Sequence, residues 1–85
     1  MTPAEFHSSL MGYCFATSAS VTSYGRTAKR NATVGGALNS NHLQWLGADV
    51  VYDEPVNKAR RDQIARRYGL EVIEESDHDH LEPLP

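Results

Sequence analysis

Three side chains in this 85-residue chain can do chemistry together. His42 and Asp49 lie in the run NSNHLQWLGADVVYD, and His80 lies in SDHDHLEP, three residues after Asp77. Two histidines and a carboxylate form a zinc-ligand set, and a nearby carboxylate that is not a ligand can activate a water held by the metal. The chemistry that this combination describes is hydrolysis.

His42 and Asp49 are too far apart in sequence to share one helical turn. They converge if His42 sits in a loop and Asp49 in the strand that the loop feeds. Asp49 stands between Ala48 and Val50, and a carboxylate buried in an apolar strand is costly without a partner. A metal or an arginine would satisfy it; the other reading is a strand-end aspartate that caps a loop. His78 and His80 form an HxH pair, which on a strand points to one face. In an exposed acidic tail the same pair would do nothing.

The elements that must position these groups can be read from punctuation and periodicity. Thr2 then Pro3 is an N-cap followed by a proline at the first helical position. Phe6, Leu10, Met11 and Tyr13 to Phe15 continue an amphipathic helix, which the reading ends near Gly12 or soon after. Ala19 to Tyr24 predicts a strand, broken by Gly25, and Thr27 to Ala32 a helical turn. VGGALNSN has turn chemistry. Leu46 to Tyr52 predicts a strand apolar enough to be buried on both faces. Asp53, Glu54 and Pro55 predict a helix start. Val56, Ala59, Ile64, Ala65 and Tyr68 lie along one face of that helix, and Gly69 is its C-cap. Leu70 to Glu74 alternates as a strand, Ser76 to His80 is a turn or the entry to a strand, and LEPLP is extended. The order helix, strand, loop, strand, helix, strand implies one small α+β domain over residues 1–85 with an antiparallel sheet and two to three helices.

Composition narrows the classes further. A chain this short has a small core and often needs a metal, disulfides or a partner. Cys14 is its single cysteine, so no internal disulfide can form and a thiolate zinc site is excluded. The net charge is −3, and EVIEESDHDHLEP carries acids without a lysine or arginine. Nucleic-acid binding, which needs a cationic face, is not expected. The bases of KARRDQIARR read as the solvated face of a helix. No apolar run approaches the ~18 residues of a membrane span. MTPAEFHSSLMGYCF has no basic n-region and no clear apolar h-region, so synthesis in the cytoplasm is expected, with any export by another route.

From about Val21 to Glu82 the chain resembles the M15-type zinc peptidases, the group of D-alanyl-D-alanine carboxypeptidases and L-alanyl-D-glutamate endopeptidases that includes phage endolysins. That group's first motif is a serine, a histidine two residues on and an aspartate seven after the histidine; Ser40, His42 and Asp49 stand at that spacing. Its approach, SGYR, then a basic, asparagine-containing stretch, then VGGA.NS.H, is similar to TSYGRTAKRNATVGGALNSNH. Its last motif is an acid, two residues, then histidine, an apolar residue and often glutamate, matched by Asp77, His80, Leu81 and Glu82. Glu75 and His78 have the same spacing, but lack that sequel. Two departures stand out. Trp45 replaces the glycine three residues after the histidine, and Tyr24-Gly25 replaces Gly-Tyr before Arg26.

The resemblance implies a sheet and helices around a single zinc site, with His42, Asp49 and His80 as ligands. It makes Asp77 the general base, later the proton donor to the leaving amine. Arg26 would hold a substrate carboxylate or a developing oxyanion, and Ser40 would support the His42 loop or position substrate. The expected activity is hydrolysis of peptide bonds in peptidoglycan stem peptides or cross-links, by a carboxypeptidase or endopeptidase acting on the wall once released or exported. Two rivals remain: a degenerate relative serving as a binding or virion structural module, and a structural zinc closed by His78 or Asp77 as fourth ligand.

Overall fold

The computed structural model describes residues 1–33, 35 and 41–85. Ser40 and most of VGGALNSN lie outside the described residues. The elements are helix α1 (Pro3–Thr17), strand β1 (Ala19–Ser23), helix α2 (Ala28–Thr33), a 3-10 turn at Asn41–Gln44, strand β2 (Ala48–Tyr52), helix α3 (Lys58–Arg67), and strands β3 (Leu70–Glu74) and β4 (Asp79–Pro83). The sheet is antiparallel throughout, in the order β1-β2-β4-β3. The fold is the expected small α+β arrangement. Among the described residues no helix is long and apolar enough to cross a membrane.

The start of α1 follows from its first residues. Thr2 accepts the Glu5 N–H and Glu5 accepts the Thr2 N–H, a capping box. Phe6, Leu10, Tyr13 and Thr17 then recur at helical spacing and are buried. The helix does not end near Gly12, because there the missing side chain is filled from outside. A Cβ on Gly12 would lie 2.4 Å from the Tyr68 ring. Glycine is tolerated in mid-helix because it lets the Tyr68 ring seat against α1. The actual end is Ser18, in the left-handed region at φ 54°.

Helix α3 starts later than Asp53-Glu54-Pro55 suggested. A helix begun at Pro55 would pair the Arg60 N–H with the Val56 carbonyl. That N–H instead goes to Asn57 Oδ1 at 2.8 Å, making Asn57 the N-cap. The Val56 carbonyl accepts from Arg61 Nε at 2.8 Å. The buried face of α3 is Arg61, Ile64 and Ala65, while Ala59 is exposed. Arg61 therefore does not belong to a solvated face, as the basic run suggested. It binds Asp79 Oδ2 at 2.6 Å and Glu74 Oε1 at 2.8 Å.

Helices α1 and α3 cover one face of the sheet. Ala48, Val50, Leu70, Val72 and Leu81 point to that face and are buried with Phe6, Leu10 and Tyr13. Period-two alternation sends Asp49, Val51, Ile73, His80 and Glu82 to the other face. Strand β2 is therefore buried on one face only, with Val51 38 % exposed. Strand β4 is an inner strand where the sequence suggested a turn or strand entry followed by an extended segment. Its acids and Pro83 hide the alternation, yet Asp79 and Leu81 are both buried. Burial of Ala48, Val50 and Leu81 also pins the register, since a one-residue slip would turn every side chain of a strand over.

Candidate metal centre

The strand register sets up the site. Asp49 on β2 is directly opposite His80 on β4, and His80 is in turn opposite Ile73 on β3. His42 reaches the same face from the 3-10 turn. Its ligand atom and those of Asp49 and His80 lie within 4.8 Å of one another. The closest separations are 3.4 Å from His42 Nε2 to Asp49 Oδ1 and 3.1 Å from His80 Nδ1 to the same oxygen.

Each histidine is oriented by its other nitrogen. His42 Nδ1 donates to the Tyr24 carbonyl at 2.7 Å, which turns Nε2 towards the Asp49 carboxylate. His80 Nε2 donates to Glu82 Oε2 at 3.2 Å and leaves Nδ1 facing Asp49. Glu82 is itself held by Asn41 Nδ2. Such outer hydrogen bonds fix the tautomer and aim of a metal-binding histidine. Two imidazole nitrogens and a carboxylate converging on one space are the ligand atoms of a divalent cation. Tetrahedral zinc with bonds of ~2.0–2.1 Å spaces its ligands about 3.3 Å apart, close to what is seen here. The residues present fit zinc.

Glycine and tryptophan shape the turn that carries His42. Trp45 has φ 59°, in the left-handed region that glycine enters most freely, which accounts for a glycine at that place in the M15 pattern. Tryptophan is accommodated because Gly25 leaves room for it: a Cβ there would lie 1.9 Å from the indole. The two departures from the motif are thus one packing arrangement. The Trp45 N–H and the Arg26 N–H both donate to the His42 carbonyl, at 3.2 and 3.0 Å, tying the turn together. Arg26 lies beside this turn, and its Nε is buried without a hydrogen-bond partner among the described residues.

Gly47 matters by space. A Cβ there would sit 3.0 Å from His80 Cε1 and 3.1 Å from Asn41 Cβ. Gly47→Val should push His80 and Asn41 apart and weaken metal affinity by roughly 10- to 100-fold, the usual effect of disturbing an outer contact. Competition with a chromophoric chelator would measure it; unchanged affinity would show that the ring adjusts freely.

Asp77 and His78 lie at the rim. Asp77 is outside the three-ligand group, with its side chain 84 % exposed and its Oδ1 accepting from His78 Nδ1 at 2.6 Å. That carboxylate raises the His78 pKa, against the partial burial that lowers it, and the same bond lowers the Asp77 pKa. His78 Nε2 faces Asp49 Oδ1 and Glu75 Oε1, both at 3.7 Å. Asp49, Glu75 and His78 form a second group that shares Asp49 with the first and neither of its histidines. An open groove of about 510 Å³ is lined by Glu75, Asp77, His78, Val51 and the 53–56 turn. It reaches the second group and is not lined by His42, Asp49 or His80.

Sequence reasoning placed His42, Asp49 and His80 together and the structure gathers them. It did not assign Glu82, Asn41, the Tyr24 carbonyl or Gly47 a place around them. The histidine–apolar–glutamate sequel was a usable signal for Glu82; the others depend on strand register and on the fold of the turn.

A small antiparallel sheet with a His/Asp/His group on the face opposite its helices defines a candidate metallohydrolase domain. The sequence model of the family Peptidase M15 matches residues 11–82, and the chain belongs to that family. A search of curated proteins and of solved structures gave no match.

Proposed function

We propose that this chain is a zinc peptidase acting on peptidoglycan peptides, cleaving a peptide bond in stem peptides or cross-links. Membership of the peptidase family supports hydrolysis, and the convergence of His42, Asp49 and His80 carries the metal assignment. Zinc held by them would polarise a carbonyl and acidify a water molecule.

The chain's own groups supply the rest. Asp77 is the proton acceptor and then the donor to the leaving amine. It precedes His80 by three residues and is tied to the site through His78. Arg26 binds a substrate carboxylate or the developing oxyanion, a role suited to a guanidinium beside the His42 turn whose buried Nε has no hydrogen-bond partner among the described residues. The open groove beside Glu75 and His78 gives an extended peptide a place to lie.

Metal content of the purified protein and of His42→Ala, followed by digestion of purified peptidoglycan, tests this reading. One tightly bound zinc per chain that the variant loses, with new amino groups or free D-alanine released by the wild type, is expected. Zinc without release from any wall peptide would count against the substrate class. Asp77→Ala should keep its zinc and lose at least about 100-fold in turnover. Turnover equal to wild type would remove Asp77 from the mechanism.

A further inference from the structure

The second group has the features of a ligand set in its own right. His78 Nδ1 is engaged by Asp77 at 2.6 Å, which aims Nε2 at two carboxylates, Asp49 and Glu75. This is the carboxylate–histidine pairing that orients metal-binding imidazoles. His42 and His80 show the same device with the Tyr24 carbonyl and Glu82. Three oriented histidines therefore surround one carboxylate, and they fall into two groups that have only Asp49 in common.

We propose that Glu75, His78 and Asp49 form a second divalent-cation site, weaker than the first and joined to it by Asp49 as a shared carboxylate. The proposal rests on His42, Asp49 and His80 being the zinc centre. One imidazole and two carboxylates suit zinc and neighbouring transition ions. The site is weaker because its contacts are longer, at 3.7 Å against 3.1 and 3.4 Å, and because the Glu75 side chain is 48 % exposed. Glu75 and His78 line the groove, so a cation there would be reached from it.

Metal-free protein should be dialysed against a series of zinc concentrations and the bound metal counted. Wild type should take up two equivalents in two phases. His78→Ala and Glu75→Gln should each lose the weak phase and keep the tight one, and His42→Ala should lose the tight phase. Glu75 is a surface residue, so Glu75→Gln keeps the test independent of folding. Saturation of wild type at one equivalent, lost in His42→Ala, would overturn the second site and leave the zinc centre standing. Retention of both phases in His78→Ala and Glu75→Gln would also overturn it. No bound metal in wild type would sink both readings.

Discussion

Asp49→Ala should abolish tight metal binding and peptide hydrolysis while leaving the fold in place. Asp49 Oδ1 lies 3.1 to 3.7 Å from three imidazoles, so its removal takes away the one anionic group that they share. Loss of an outer contact alone costs roughly 10- to 100-fold in metal affinity, so loss of this ligand should cost more than about 100-fold. The side chain is on the sheet face away from the helices. The ladder uses only its backbone, including the carbonyl that accepts from Thr22 Oγ1 at 3.3 Å. Circular dichroism of the metal-free variant should match wild type, while chelator competition shows no tight phase. An Asp49→Ala protein that still holds zinc tightly would mean that the histidines alone, or other residues, make the site.

Why this site was readable and the strand beneath it was not has a physical cause. Chemistry is carried by residue type and spacing, and His42, Asp49 and His80 announce themselves by both. Their convergence depends on a register between β2 and β4, which no local pattern states. Strand β4 was hidden because Asp79 is a buried acid and Pro83 closes the strand; both violate the usual alternation. The buried acid is explained by Arg61 on α3 and Tyr52 on β2, both far away in sequence. Helix α1 ran past Gly12 for the same kind of reason, a ring from another element filling the gap. The end signals of α1 at Thr2 were legible because capping is local, and Asn57 could have been read the same way.

The buried ion pair leads to the second large effect, on stability. Arg61→Leu should destabilise the metal-free protein by about 3–5 kcal/mol, the cost of leaving a buried charge without its partner. Asp79 is 3 % exposed, and its Oδ2 takes hydrogen bonds from Arg61 at 2.6 Å and from the Tyr52 hydroxyl at 2.6 Å. Tyr13 donates to the Tyr52 oxygen at 2.6 Å, extending the network to α1. Burial and the Asp79 contact push the Tyr52 pKa up, so the tyrosine stays a neutral donor. Leucine leaves Asp79 with tyrosine alone, and severs α3 from Glu74 and from the Val56 carbonyl. A domain of this length has only about 4–13 kcal/mol to lose. Urea unfolding in the presence of a chelator measures the change. The double variant Arg61→Leu/Asp79→Leu should be less destabilised than Arg61→Leu alone, since no unpaired charge remains. A shift under about 1 kcal/mol for Arg61→Leu, the range of surface pairs, would mean that water reaches Asp79 and the network does not hold the sheet to its helices. The stake extends to the metal centre because Asp79, the first residue of β4, follows His78 and precedes His80 and is buried on the helix side. Whatever holds Asp79 down on the helix side holds both imidazoles up on the other.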